Sequence, residues 1–291
     1  GDEILTTPFT FVATTETIAI LGSIPVYVDI DPKTFNMDIN KIEAKITPKT
    51  KAIMPVHLYG QPCDMDPLMK LAEKHGLYVI EDAAQAMGSK YNDKMICTIG
   101  DIGCISFYPS KNLGAFGDGG MLTTNDEKLA EKIRMIISHG SKKKYYHETL
   151  GVNSRLDSIQ AAILDIKLKY LDEYCEARYN AAMKYNEKFK GIFETPYIMP
   201  GVKHIFHQYS IRVKNRDKMM EFLKSNGIPS MIYYPVPLHM QEAYKYDYKP
   251  GDYPVSEEIA KDIISLPMHT ELTDEEIDFI SSKVIEFNSI Q

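Results

Sequence analysis

The sequence contains no tryptophan, few cysteines and no long apolar run. No stretch approaches the roughly 18 apolar residues that a membrane span requires, and the first residues lack the charged and apolar regions of a secretory signal. The cysteines form no C-x-x-C pair, which predicts reduced thiols rather than a disulfide framework or a zinc site. They are Cys63, Cys97, Cys104 and Cys175. We therefore expect a cytoplasmic protein with no membrane segment and no metal site.

A basic arm is also absent. Lysine and arginine total 33 against 40 acidic residues, a net charge of −7, and this balance argues against a nucleic-acid partner. The one basic cluster, Lys142 to Lys144, is interpreted as a solvated loop. With 291 residues, 44% hydrophobic and 25% charged, the chain is long enough for one large or two modest globular domains. Disordered, collagen-like and coiled-coil classes are excluded.

The first 125 or so residues alternate short β-rich runs with helical patterns, which predicts an α/β fold with a parallel sheet covered by helices. A helix over residues 66–75 ends at Gly76. Ligands in such sheets bind beyond the carboxyl ends of the strands. The predicted strands are residues 3–6, 26–29, 52–56, 78–81, 103–107 and 120–123.

The second half of the chain begins with a helical pattern over residues 154–190, which predicts one long helix that bridges two domains. After Gly191 the composition shifts toward tyrosine, proline and methionine, and a smaller α/β unit is expected. The predicted domains are therefore residues 1–190 and 191–291. The elements expected in the smaller unit are strands at 207–213 and 230–234 and helices at 216–226, 256–264 and 274–287.

Two residues with ionisable side chains that could take part in catalysis follow strand ends in the first half of the chain. Asp82 lies at the end of one predicted strand, and Lys111 lies 29 residues further on, in a loop after another. Taken alone, Asp82 is more often a turn or cap residue and Lys111 a solvated side chain. Together they suggest a covalently held cofactor, because pyridoxal phosphate requires a lysine for its Schiff base, a carboxylate for its ring nitrogen and donors for its phosphate. A nicotinamide dehydrogenase is disfavoured because no G-x-G-x-x-G follows a first strand.

Seven segments spread over residues 7–156 form a recognisable set. They are EDAAQ at 81–85, SFYPSK at 106–111, TPFTFVAT at 7–14, PVYVDID at 25–31, PVHLYG at 55–60, GDGG at 117–120 and GVNSRL at 151–156. Together they resemble the DegT/DnrJ family of pyridoxal-phosphate sugar aminotransferases, and the resemblance covers essentially the whole chain. It implies an aminotransferase type I fold, with a mostly parallel large domain and a smaller C-terminal α/β domain.

The resemblance implies a role for each matching residue of the cofactor site. Lys111 would form the Schiff base and move the proton between substrate and cofactor carbons, and Asp82 would pair with the ring nitrogen. Gln85 would lie near the ring hydroxyl, Ser106 would donate to the phosphate, and Phe11 would stack on the ring. The implied cofactor is pyridoxal 5'-phosphate.

Other matching residues imply partners and substrate. Asn153 and Arg155 would reach the neighbouring subunit's site, the Asn toward the phosphate and the Arg toward the substrate, so a homodimer with shared active sites is expected. Tyr233, Tyr234 and His239 would line the sugar-nucleotide side. Members of the branch considered next carry His in place of Tyr233.

Within the family, the sequence looks most like the branch that uses glutamate to aminate C3 of a UDP-linked 3-keto N-acetylglucosaminuronic acid for surface polysaccharide or amino-sugar biosynthesis. An aminotransferase for a dTDP-linked keto deoxysugar is an alternative. The related dehydratases use His at the Schiff-base position, so Lys111 counts against them. Family members also carry a phosphate-binding Gly-Thr turn before the segment that starts at Gly1. We therefore expect the N-terminal part of the fold to be missing, and a non-catalytic remnant is a further alternative.

Overall fold

The computed structural model describes residues 1–244 and 246–290, which form a layered α/β structure. The strands are β1 Glu3–Thr6, β2 Ile24–Tyr27, β3 Thr50–Ile53, β4 Tyr78–Asp82, β5 Lys90–Tyr91, β6 Lys94–Met95, β7 Ile102–Ser106, β8 Gly120–Thr123, β9 Ser141–Lys143, β10 Tyr146–His147, β11 Val202–Lys203, β12 Tyr209–Arg212 and β13 Ile263–Leu266. The helices are α1 Ala13–Ile20, α2 Ile39–Ile42, α3 Met65–His75, α4 Glu127–Ile136, α5 Ser158–Leu168, α6 Leu171–Phe189, α7 Arg216–Ser225, α8 Pro254–Asp262 and α9 Asp274–Ile290.

The main sheet has six strands in the order β2-β1-β3-β4-β7-β8. Neighbouring strands from β2 to β7 are parallel, and β8 is added antiparallel to β7 at the edge. The predicted mostly parallel sheet is therefore confirmed, with strand ends shifted by a few residues. Leu5, Ile53 and Val79 lie fully buried in its centre, as expected for apolar strands covered on both faces.

Helix α3 shows how the sequence builds the layers of this fold. Met65, Leu68 and Ala72 recur three or four residues apart and form its buried face in the same apolar cluster as Val79. The helix ends at Gly76, which has a φ of 63°, a left-handed conformation that glycine adopts without steric cost. Within the described residues, no helix is long and apolar enough to cross a membrane.

The single long helix predicted over residues 154–190 is wrong, because the chain forms α5 and α6 with a turn at Lys169 and Tyr170. No proline or glycine marks this break. Leu164 of α5 and Leu171 of α6 are both buried in the main cluster. The break is therefore not specified by the local pattern, and tertiary context overrides it.

Two predictions for the C-terminal part also need correction. Residues 230–234 form only an isolated bridge between Met231 and Ser265, because the prolines at 229 and 235 remove the backbone donors that a longer ladder would need. The helix predicted to reach residue 264 ends at Asp262, and Ile263 and Ile264 enter β13, which pairs antiparallel with β12. Isoleucine favours this extended, buried setting because it is β-branched.

Candidate active site

Asp82 and Ser106 lie on the same face of the main sheet, at the carboxyl ends of neighbouring strands. Asp82 ends β4 and is in register with Cys104 of β7, two residues before Ser106. Side chains two residues apart on a strand share a face, so Ser106 follows Cys104 on the face that carries Asp82. The Ser106 hydroxyl accepts a hydrogen bond from Tyr108 N at 3.3 Å.

The carboxylate of Asp82 is held at both oxygens. Thr14, buried in the first turn of α1, donates its hydroxyl hydrogen to Oδ2 at 2.7 Å, and Ala84 N donates to Oδ1 at 3.1 Å. The Thr14 hydroxyl also lies 3.1 Å from that of Thr10. Each carboxylate oxygen of Asp82 therefore has a donor, and the two hydrogen bonds restrict rotation of the carboxylate.

Lys111 lies in a turn after β7, where its N–H donates to Tyr108 O at 2.9 Å. Burial lowers the pKa of Lys111, and the nearby negative charge of Asp82 acts in the opposite direction. The lowered pKa increases the fraction of Lys111 present as the free amine, the form that attacks a carbonyl carbon.

The residue after Lys111 anchors this loop to the C-terminal part of the chain. Asn112 is buried; its Oδ1 lies 3.1 Å from Nδ1 of His207, and its Nδ2 donates to Ile205 O at 3.3 Å. Burial lowers the pKa of His207 well below its usual range, and the positive charges of Lys111 and Arg178 lower it further. His207 is thus a neutral side chain beside the lysine.

Gln85 connects three segments of the predicted site. Its Oε1 accepts from Tyr59 N at 2.7 Å and its Nε2 donates to the Tyr234 hydroxyl at 2.9 Å. Tyr59 in turn donates its hydroxyl to the carbonyl of Tyr233. The centre of the Phe11 ring lies 6.3 Å from that of Tyr234, and the Phe11 side chain is 56% exposed. Phe11, Gln85 and Tyr234 are therefore brought together.

Asn153 and Arg155 lie apart from this group on the exposed segment before α5, where Arg155 Nε donates to Asn153 Oδ1 at 3.0 Å. No hydrogen bond or ion pair described within residues 1–244 and 246–290 joins either to Asp82, Ser106 or Lys111. This position agrees with the expectation that they serve a neighbouring subunit, which stays a prediction.

The buried position of His239 differs from the one along the sugar-nucleotide side that the resemblance implies. The side chain is buried, its Nε2 lies 3.1 Å from Glu257, and its ring contacts those of Tyr27 and Tyr253. Leu238 next to it belongs to the same apolar cluster. These contacts favour a packing role for His239 and argue against direct contact with a sugar nucleotide.

Glu81 occupies the opposite face of β4 from Asp82 and is fully buried with His57. Burial alone would raise the pKa of Glu81, but the hydrogen bond from His57 and the N–H groups of Gly100 and Cys97 outweigh it and hold the pKa below its usual range. This buried ionised group stabilises the strand that presents Asp82.

Sequence reasoning missed four residues of this site: Thr14, Tyr59, Asn112 and His207. Thr14, Tyr59 and Asn112 sit in or beside segments that resemble the family, but Thr14 and Asn112 have ordinary local contexts. Tyr59, an aromatic residue, and His207, a titratable one, carried a signal that could have singled them out.

Comparison with known proteins identifies the class. The DegT/DnrJ/EryC1/StrS aminotransferase family model matches residues 1–285, and the chain therefore belongs to this family of pyridoxal-phosphate-dependent sugar aminotransferases.

Three relatives are similar over nearly the whole chain. A pleiotropic regulatory protein of Geobacillus stearothermophilus is 52% identical over 99% of this chain and 78% of its own length. A UDP-N-acetyl-3-dehydro-alpha-D-glucosamine 3-aminotransferase of Acidithiobacillus ferrooxidans is 47% identical over 98% of this chain and 77% of its own. A UDP-2-acetamido-2-deoxy-3-oxo-D-glucuronate aminotransferase of Pseudomonas aeruginosa is 46% identical over 98% and 78%.

Solved structures agree with the fold. A DegT DnrJ EryC1 StrS aminotransferase from Brucella abortus superposes with a TM-score of 0.95 at 41% identity, over 99% of this chain and 80% of that one. The PMP-form of a sugar aminotransferase from Streptococcus pneumoniae superposes with a TM-score of 0.94 at 27% identity, over 100% and 82%. The predicted α/β aminotransferase fold, activity class and cofactor are confirmed.

The donor set of this chain fits pyridoxal phosphate. Lys111 supplies a partly buried amine with a lowered pKa, Asp82 a carboxylate with both oxygens held, and Ser106 a hydroxyl on the same face of the sheet. These are the three functional groups that the cofactor's carbonyl, ring nitrogen and phosphate require.

Proposed function

We propose that this chain transfers the amino group of glutamate to C3 of a UDP-linked 3-keto N-acetylglucosaminuronic acid, for surface polysaccharide or amino-sugar biosynthesis. The observation that carries the proposal is the placement of Asp82 at the end of β4 and of Lys111 in the loop after the neighbouring strand β7. Lys111 is desolvated, and the negative charge of Asp82 acts on its pKa. The two aminotransferases that are 46% and 47% identical act, by their names, on UDP-linked 3-keto sugars, which supports the choice of substrate.

Each residue has a distinct task in this proposal. Pyridoxal phosphate, when bound, supplies a carbonyl carbon and an electron-withdrawing ring. Lys111 Nζ holds the cofactor covalently, and as the free amine it takes up a proton and returns it to a neighbouring carbon. Asp82 keeps the ring nitrogen protonated, Ser106 donates to the phosphate, and Phe11 covers one ring face.

The remaining predicted residues surround the ring and the substrate. The Gln85 amide orients Tyr234 on the side of the ring hydroxyl. Tyr233 and Tyr234 face the sugar nucleotide. Arg155 of one subunit contacts the sugar bound in the other. Its guanidinium suits the carboxylate of that sugar, because the two groups pair through two parallel hydrogen bonds.

A homodimer with shared active sites is part of the proposal. The segment that carries Asn153 and Arg155 continues into α5 and exposes a row of apolar side chains, among them Leu150 at 95% and Ile159 at 72% exposure. In the part of the chain that the structure describes, no hydrogen bond or ion pair that it records joins Asn153 or Arg155 to Asp82, Ser106 or Lys111. An exposed apolar surface next to such polar residues favours burial against a second copy. The cysteines are free thiols, which supports a reducing, cytoplasmic setting.

The covalent role of Lys111 is tested by absorbance of the purified chain loaded with cofactor. We expect a band in the region of about 400 to 430 nm, the range of a lysine-bound pyridoxal group, that disappears in Lys111→Ala. The exposed Lys142→Ala is the matched control and should keep it. A borohydride-trapped adduct on another lysine would refute the assignment.

The substrate is tested by mass spectrometry of amino transfer from glutamate to a panel of keto-sugar nucleotides. The panel contains UDP-linked 3-keto sugars with and without the C6 carboxylate, and dTDP-linked 3-keto and 4-keto deoxysugars. We expect the UDP-linked uronic acid to react fastest, and Arg155→Ala to lower its rate more than that of the sugar without the carboxylate. Preference for a dTDP-linked sugar would overturn the proposed substrate while leaving the aminotransferase class intact.

The shared site is tested on the UDP-linked uronic acid by mixing Lys111→Ala, which should be inactive, with Arg155→Ala, whose residual rate is measured alone and subtracted. If Arg155 serves the other subunit, each heterodimer has one intact site, so random exchange should restore about a quarter of wild-type activity. Subunit exchange is verified first by native mass spectrometry. No recovery despite exchange would mean that Arg155 acts in its own subunit or in no site.

A further inference from the structure

The hydroxyl of Thr14 is the one side-chain donor described on the carboxylate of Asp82. Thr14 is buried in the first turn of α1, and its Oγ1 lies 2.7 Å from Asp82 Oδ2. An ionised carboxylate only accepts hydrogen bonds and a hydroxyl has one hydrogen, so Thr14 gives its hydrogen to Asp82. The 3.1 Å contact between the Thr10 and Thr14 hydroxyls must then run from Thr10 to Thr14. The donors form a directed chain that ends on Asp82.

This chain fixes the orientation of the carboxylate. Thr14 occupies one lone pair of Oδ2, and Ala84 N occupies one of Oδ1 at 3.1 Å. The lone pairs that remain are the ones available to a ring nitrogen. Without the Thr14 hydroxyl, a single backbone donor would hold Asp82, and the carboxylate could turn about its last bond.

Thr14 also couples Asp82 to the residue proposed to cover the ring face. Thr14 N donates to Phe11 O at 3.3 Å, so one residue is bonded to Phe11 through its backbone and to Asp82 through its side chain. Asp82 is proposed to contact the edge of the cofactor ring and Phe11 its face. Thr14 therefore links the two residues, although Thr14 and Asp82 are 68 residues apart in sequence.

We propose that Thr14 is a positioning residue that aligns Asp82 with the ring nitrogen of pyridoxal phosphate and holds Phe11 in a fixed position relative to Asp82. This inference rests on the function proposed above for Asp82. It makes Thr14 part of the cofactor site although it need not touch the cofactor.

The test compares Thr14→Val, which keeps the shape and removes the hydroxyl, with Thr14→Ser, which keeps the hydroxyl. Two readouts are taken besides amino transfer: the dissociation constant of pyridoxal phosphate from the apoprotein, and the pH midpoint of the absorbance change of the bound cofactor. We expect Thr14→Val to weaken cofactor binding about tenfold or more, the scale of one hydrogen bond to a charged group, and to shift the midpoint. Thr14→Ser should stay within about threefold of wild type.

The neighbouring Thr15 provides the matched control. It is also buried on α1, but its hydroxyl accepts from Tyr27 at 3.3 Å and makes no contact with Asp82 that the described structure records. Thr15→Val should lower stability without shifting the absorbance midpoint. If Thr14→Val does not fold, the pair Thr14→Ala and Thr14→Ser gives the same comparison with less steric change.

An Asp82→Asn background separates the inference from the proposed function. If Thr14 acts through Asp82, Thr14→Val should change cofactor binding less than about twofold once Asp82 is neutral. Equal effects of Thr14→Val in both backgrounds, or wild-type behaviour of Thr14→Val, would overturn the inference. Wild-type turnover of Asp82→Asn itself would instead overturn the proposed role of Asp82.

Discussion

Replacing Glu81 by glutamine should destabilise the fold far more than its small chemical change suggests. Oε1 accepts from Ile99 N at 2.9 Å and Gly100 N at 2.7 Å, and Oε2 accepts from Cys97 N at 2.9 Å and lies 3.2 Å from Nε2 of His57. An amide has one acceptor oxygen, so either orientation turns an NH₂ group toward two groups that need an acceptor.

His57 cannot change its tautomer to accept from the glutamine NH₂ group without losing another hydrogen bond. Cys63 N donates to its Nδ1 at 3.0 Å, so Nδ1 accepts and the hydrogen sits on Nε2, facing Glu81. A change of tautomer to suit the glutamine NH₂ would abandon the bond from Cys63. Glu81→Gln therefore loses about two hydrogen bonds to a charged group, each worth roughly 1.5–3 kcal/mol. We therefore expect a loss of about 3–6 kcal/mol, the sum of the two.

Urea denaturation of the apoprotein at pH 7 measures this loss, with the exposed Glu73→Gln as a control expected within about 0.5 kcal/mol of wild type. The pH dependence gives a second check. Because the pKa of Glu81 is held below its usual range, its stabilisation is present above the unfolded-state value and is lost as the pH falls through the lowered folded value. Wild type should therefore lose stability below about pH 4.5 more steeply than Glu81→Gln. A loss under about 1 kcal/mol at pH 7, with parallel pH profiles, would refute the reasoning.

Two further predictions concern the lysine loop. Asp82 raises the pKa of Lys111 against the effect of burial, so in the apo form of Asp82→Asn the pKa of Lys111 should fall further. The pH midpoint for reaction of Lys111 with trinitrobenzenesulfonate, followed by peptide mass spectrometry, should then move to lower pH. An unchanged or higher midpoint would contradict this. Asn112→Ala removes the partner of His207 and should weaken pyridoxal phosphate binding about tenfold in a fluorescence titration, whereas binding equal to wild type would show that this contact does not hold the loop.

The residues at strand ends could be predicted from sequence because their positions follow from local pattern. The run of apolar residues before Asp82 marks β4, and the end of β7 places Lys111 in the next loop. The contacts that orient them could not be predicted. Thr14 meets Asp82 across 68 residues and His207 meets Asn112 across 95, and nothing in the local sequence specifies these pairs.

The errors in secondary structure have two origins. The short bridge at Met231 looked like a strand by composition, although the prolines at 229 and 235 limit its pairing. The turn at Tyr170 carries no helix-stop signal, so it depends on tertiary packing that the local sequence does not specify. The burial of His239 is a further example, since its ring packs against Tyr27, more than two hundred residues earlier in the sequence.

The anchoring of Asn112 has a consequence for the order in which the protein matures on the ribosome. Domains generally form from the N-terminus as the chain emerges, and the main sheet strands and Lys111 are all synthesised before residue 125. The groups that hold Asn112, however, belong to Ile205 and His207. A nascent chain with a complete sheet thus still lacks the contacts that hold its lysine loop, and we expect its affinity for the cofactor to rise when the C-terminal segment has been made and has docked.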